Sequence, residues 1–198
     1  MEKIKNNNRG FSLIELIVAV LIMAIISGGA VIALGSIFST KTKAAAQSVQ
    51  DALKQARVNA ISLDNDMVPL DTDSGETVAN GYKTNIYVKF HVVNSELIAD
   101  VCSDKSGSES VLNSKVVASD KYNLKFYKKN GDLIDSEATV GSATVKVFFK
   151  KSTGGVSRVE VSTGGKYSEC DMIKVTSPAG DSVEVILVSL TGRSYIDY

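Results

Sequence analysis

The 198-residue chain is poor in the residues that carry most chemistry: one histidine, His91, two cysteines, Cys102 and Cys170, and two prolines, Pro69 and Pro178. A structural zinc site wants four nitrogen or sulfur ligands, and one imidazole with two thiols falls short. His91 lies on the polar side of the most regular strand pattern, where a satisfied surface imidazole is the ordinary role rather than a general base. The glycine pairs lack the spacing of a phosphate loop and read as turns. Asp64 with Asp66, and Asp71 with Asp73, read as solvated loop carboxylates, since no calcium-loop pattern surrounds them. We therefore expect no catalytic site, no metal and no cofactor. A dominant charge is missing too: 22 basic and 22 acidic residues give a formal net charge of +0. Bulk charge then offers no attraction to nucleic acid or to an anionic membrane, so such a partner would need a local patch.

What the chain does have is one long apolar run, Gly10 to Phe38, whose only charge is Glu15. As a helix, residues 11–38 would extend about 42 Å, enough to cross the roughly 30 Å core of a bilayer. The basic leader MEKIKNNNRG precedes it, with Lys3, Lys5 and Arg9 against Glu2, the flank that stays cytoplasmic. A secretory signal peptide would have a shorter apolar region and a small-residue cleavage site after it. Ala44, Ala45 and Ala46 come too late for that role, so the run is expected to stay in the mature protein.

An acid inside an apolar run costs about 2.5 to 3.5 kcal/mol near a bilayer centre, which makes Glu15 a functional residue by default. Its setting, Gly10 followed by Phe11, Ser12, Leu13, Ile14 and Glu15, resembles the processing site of type IV pilins and related pseudopilins. The resemblance implies that a prepilin peptidase cuts between Gly10 and Phe11 and methylates the new Phe11 amine. Glu15 then becomes the fifth residue of the mature chain, and its role is assembly: it pairs with the Phe11 amine of a neighbouring subunit. In a low dielectric that attraction is amplified, and the pairing fixes axial register more than it adds net stability. The implied partners are other pilin subunits, the peptidase, a membrane assembly platform and a cytoplasmic assembly ATPase. The implied location is a single-pass membrane protein that moves into an extracellular pilus or a periplasmic pseudopilus. Many pilins carry a proline in the second half of this helix. Here Ser27, Gly28 and Gly29 stand instead, supplying either flexibility or close helix packing.

Beyond Phe38 the helical signal continues: Ala45, Val49, Ala52, Leu53, Ala56 and Ala60 recur at helical spacing, an alanine-rich stripe suited to packing on a sheet. From about Asp64 the pattern turns to strands. Tyr82 to Val92 alternates with a period of two, with Asn94 and Ser95 as its turn and a return strand to Cys102. The segment SDKSGSES reads as a loop, and Asn130-Gly131 as a hairpin signal. Strands are further expected around Tyr122 to Phe126, Val145 to Phe149, Val159 to Val161, Met172 to Thr176 and Val183 to Leu190. The ending SVEVILVSLTGRSYIDY is similar to the close of H-type minor pseudopilins. The expected organisation is a cleaved leader, 1–10, a long helix, 11–63, with 11–38 transmembrane before assembly, and a β-rich head, 64–198. The fold class is α+β, a long helix packed against an antiparallel sheet.

Cys102 and Cys170 have two readings: a disulfide closing a loop of roughly 67 residues in an oxidising compartment, or two separate buried thiols. The head also has a second functional reading, a binding module for a surface receptor or DNA. Its candidate residues are Lys121, Lys125, Tyr127, Lys128 and Lys129 with Lys150 and Lys151, set against the plainer reading of a solvated charged face.

Overall fold

A computed structural model describes residues 12–62, 68–69, 82–105, 108–134, 140–141 and 143–197, without the side chains of 28–36, 68–69, 82–85 and 105. Helix α1 runs Leu13–Ser62. Its start is set locally: the backbone N–H groups of Glu15 and Leu16 donate to the Ser12 carbonyl at 3.0 and 3.2 Å. Ser12 and Glu15 stand at capping-box spacing, and an acid in the first turn suits the positive end of the helix dipole. The helix continues through Gly28 and Gly29 without a break. By contacts the chain divides into two compact units, Met1–Ile37 and Phe38–Tyr198.

In the second unit the alanine stripe does what its spacing implies. Ala45, Ala46, Val49, Ala52, Leu53, Ala56 and Ala60 are all buried, while Asp51, Lys54 and Gln55 face solvent. This part of the helix therefore belongs with the sheets, and the contacts place a boundary at Ile37 and Phe38 although the secondary structure changes only after Ser62.

Eleven strands are described: β1 (Val68–Pro69), β2 (Tyr82–Val93), β3 (Glu96–Lys105), β4 (Ser108–Ser119), β5 (Asn123–Tyr127), β6 (Val145–Lys150), β7 (Val156–Val161), β8 (Lys166–Tyr167), β9 (Met172–Thr176), β10 (Ser182–Val188) and β11 (Arg193–Asp197). They form two antiparallel sheets. The larger has the order β4-β3-β2-β6-β7-β8 with β1 on β2, and the smaller the order β11-β10-β9-β5. Ile86, Val88 and Phe90 of β2 and Val145, Val147 and Phe149 of β6 line the inner face of the larger sheet. Leu124, Phe126, Ile173, Val175, Val183, Val185 and Leu187 do so for the smaller. Phe90 and Phe126 meet across the core with ring centres 5.8 Å apart.

Polar ties join the helix to both sheets. Gln50 Nε2 donates to the Ser194 carbonyl at 2.9 Å and Arg57 Nε to the Thr191 carbonyl at 2.6 Å, while Lys115 Nζ of β4 lies 2.8 Å from Asp51.

One expectation fails. The segment read as a loop, SDKSGSES, instead contributes to β3 and β4, pairing Lys105 with Ser108 and Ser103 with Ser110. Strand β4 lacked a visible period because it is an edge strand whose residues are mostly exposed, Val117 alone being buried. Asn130-Gly131 makes the expected turn back onto β5: the Gly131 N–H donates to the Lys128 carbonyl, Leu133 pairs antiparallel with Tyr127, and the Ile134 N–H donates to the Phe126 carbonyl at 2.9 Å. The Asn94-Ser95 turn is as expected, both residues adopting positive φ, 51° and 63°. Asp64, Asp66, Asp71 and Asp73 lie outside the described residues.

Candidate functional site

Gly10 and Phe11 lie outside the described residues, so the site is seen from Ser12 onward. Glu15 is exposed in the first turn of α1. Leu13, Ile14, Leu16, Ile17, Val18, Val20, Leu21, Ile22, Met23, Ile25 and Ile26 are exposed as well. With ~3.6 residues per turn those positions cover every face of the helix. The one polar group at the end of the stretch is satisfied internally, Ser27 Oγ donating to the Met23 carbonyl at 2.6 Å. Glu15 is then the one charge on an otherwise apolar surface from Ser12 to Ser27. Among the described residues no helix is long and apolar enough to cross a membrane. The apolar sequence runs on through residues 28–36.

Of the two readings of the cysteines the structure has the second, which corrects the disulfide: Cys102 and Cys170 are both free, buried thiols. Cys102 sits on the outer side of the larger sheet in a small cluster with Tyr87 and Phe148, whereas Cys170 is part of the main core. Burial pushes the Cys102 thiol up to about 11 and the Cys170 thiol up to about 12. Because the thiolate is the nucleophile, both are expected to resist a thiol reagent at pH 8 in the folded protein and to react within seconds once it is unfolded in denaturant. Fast labelling of either thiol without denaturant would contradict this placement.

The outer side of the larger sheet also holds a cluster with no counterpart in the sequence reading. Alternation put Tyr87 among the polar positions of β2, yet it is fully buried, packed on Phe148 at 4.7 Å between ring centres. Lys146 Nζ lies 4.8 Å above the Tyr87 ring and the Arg158 guanidinium 3.9 Å above that of Phe148. Tyr87 Oη donates to Glu109 Oε2 at 2.5 Å, and Lys89 pairs with Glu109 Oε1. Cations and stems roof an aromatic pair, so the sheet is sealed without a second layer.

Hydrogen bonds from Lys89 and then Tyr87 hold the Glu109 carboxyl down to about 2. Lys89 is raised in turn: burial alone would lower it, and the bond to Glu109 with the surrounding negative charge outweighs that. A depressed carboxyl stabilises the fold above its ordinary value near 4.5 and ceases to as pH falls toward 2. Glu109→Gln is therefore expected to flatten the loss of melting temperature between pH 4.5 and 2, a difference that paired thermal melts would detect. An unchanged acid limb would refute it. This cluster explains stability and not chemistry, and His91, with Nε2 2.7 Å from Asp100 Oδ2, is likewise a partnered imidazole on the same side.

The lysines proposed for nucleic acid are dispersed. Lys125 and Tyr127 share the outer face of the smaller sheet, Lys121 and Lys129 stand in turns, Lys128 Nζ lies 6.0 Å from the Tyr167 ring, and Lys150 ends β6. Among the described residues no group of three or more histidine, cysteine and carboxylate side chains could hold a metal. The groove between α1 and β3–β4, lined by Asp51, Lys54, Val58, Val101, Asn113 and Lys115, is open, and Asp51 and Lys115 in it are paired with each other.

One comparison with known proteins speaks to the N-terminal turn: residues 5–31 match the family model of the prokaryotic N-terminal methylation motif. The match encloses the Gly10-Phe11 bond and Glu15, and supports a type IV pilin- or pseudopilin-type protein, of the kind processed by a prepilin peptidase. The motif points to a structural protein rather than an enzyme. Neither a curated protein nor a solved structure matches the chain.

Proposed function

We propose that this chain is a subunit of a type IV pilus or related pseudopilus. Before assembly it waits in the membrane with residues 11–38 spanning it. Prepilin peptidase removes residues 1–10 and methylates Phe11, and the chain polymerises by bundling its apolar helix with those of other pilin subunits. The observation that carries this is a helix apolar on every described face with one acid in its first turn, inside the matched methylation motif. Neighbouring helices replace lipid around such a surface without exposing it to water, and the acid gives them a register because an unpaired charge there is penalised. A membrane platform and a cytoplasmic ATPase would drive the exchange from lipid to filament. The surface-exposed head would coat an extracellular pilus or a periplasmic pseudopilus.

A receptor- or DNA-binding role for the head is the second reading. Against DNA stands the pairing of Lys174 with Glu184 at 3.1 Å beside Lys125, which sets acidic groups into the best basic stripe.

The mass of the mature protein's N-terminal peptide tests the proposal. It is expected to begin with methylated Phe11. A chain that starts at Met1, or after Ala46, would remove its basis. Ala45 and Ala46 are buried in the helix-to-sheet contact, so a folded head shields that second site.

A further inference from the structure

The outer face of the smaller sheet is ordered in transverse rows. In β5, β9 and β10 burial alternates strictly, so Lys125, Tyr127, Met172, Lys174, Glu184 and Ile186 lie on the outer side. Tyr195 and Asp197 of β11 complete the face. The register sets Tyr127 opposite Met172, Met172 opposite Ile186, and Ile186 opposite Tyr195, an apolar row crossing all four strands. Two residues along, Lys125 is opposite Lys174, Lys174 opposite Glu184, and Glu184 opposite Asp197. Across the sheet that row reads plus, plus, minus, minus.

Such segregation works against the isolated sheet. Like charges directly opposite on neighbouring strands are unfavourable, and the row contains two such pairs, Lys125 with Lys174 and Glu184 with Asp197, where an alternating order would have had none. Lys174 and Glu184 satisfy each other at 3.1 Å, but Lys125 and Asp197, at the two ends, have no ion-pair partner among the described residues. Tyr195 is 53% exposed beside them.

The arrangement is self-complementary. A two-fold axis lying in the contact plane, parallel to the strands and between β9 and β10, carries each row onto itself in reverse. Lys125 then faces the second copy's Asp197, and Lys174 its Glu184. Tyr127 faces Tyr195, and Met172 faces Ile186. We propose that this face binds the same face of a second copy of the chain, an isologous contact with a dry aromatic row beside a ring of four ion pairs. The row spans three strand spacings, about 14 Å, so the contact is smaller than the ~800 Å² per partner of a standing dimer and acts where copies are concentrated. The charge pattern holds whether or not the chain enters a filament.

A zero-length carbodiimide, which joins a lysine to a carboxylate only in contact, tests it on the full-length protein in mild detergent at high concentration. The wild type is expected to give a dimer containing a Lys125–Asp197 peptide, a product that cannot form within one chain because the two residues end the same row. Lys125→Glu with Lys174→Glu, and separately Glu184→Lys with Asp197→Lys, are each expected to cut the dimer at least about tenfold. An equimolar mixture of the two double variants should recover it to within about twofold, as should the variant with all four changes, which also keeps a cross-strand ion pair and so controls for folding. Absence of the Lys125–Asp197 product in the wild type overturns the proposal. So does a dimer yield indifferent to either double variant, or a mixture that does not recover it.

Discussion

Gly192→Ala is expected to destabilise the sheet-bearing unit by more than about 3 kcal/mol, a large share of the roughly 5 to 15 kcal/mol that holds an ordinary domain folded. Two effects add. Gly192 has a φ of +64°, which costs a residue with a Cβ about 1 kcal/mol or more. A Cβ there would also stand 1.7 Å from the Gly154 carbonyl oxygen, and backbone must move to admit it. That movement would not stay local. Gly154, itself at φ +68°, lies against Ile61 and Arg57 of α1, and Arg57 Nε holds the Thr191 carbonyl at 2.6 Å. The turn after β6, the turn after β10 and the last turns of the helix thus meet at one joint. Gly131→Ala is the matched control: its φ is +84°, but nothing lies within 4 Å of the added carbon, so it should cost only the backbone strain. Chemical denaturation of both variants, followed by circular dichroism, separates the two effects, and equal losses would show that the joint is not close-packed.

The second large effect concerns Glu15. Under the proposed function, Glu15→Ala is expected to leave the proposed cleavage between Gly10 and Phe11 largely intact and to reduce incorporation into filaments at least about tenfold. Breaking a buried charge pair by removing one partner costs about 3 to 5 kcal/mol, because the remaining charge, here the proposed Phe11 amine of a neighbour, is left without a counter-ion. Tenfold corresponds to about 1.4 kcal/mol, so even a half-solvated pair would show the effect. N-terminal mass reports the cleavage, and the ratio of sheared to cell-bound protein reports the incorporation. Normal incorporation of the variant would leave the register argument without support.

The parts legible in sequence are those in which chemistry is local. The apolar run and its single acid could be read directly, because a continuous stretch without charge has few other uses, and residues 5–31 match the methylation motif. The alanine stripe was legible for the same reason, since helical spacing fixes which side is buried whatever it packs against. Strands with one wet face, β2, β5, β9 and β10, showed their period of two. Edge strand β4 did not, being exposed along nearly its whole length. Tyr87 was misplaced on the solvent side because alternation tells only which side a residue takes, and not that Phe148, Lys146 and Arg158 will close over it.

By itself, then, the sequence determined the long helix, its greasy first half with Glu15, the stripe that meets the sheets, and the strand-rich remainder, all properties of neighbours along the chain. Only the tertiary structure decided that Cys102 and Cys170 stay apart, that the glycines at 154 and 192 are a packing joint and not merely turns, and that four charges from four strands fall into one row. Those depend on which strands pair and in what register. Pairing is chosen by the burial of a whole core at once, a sum over distant residues that no local pattern contains.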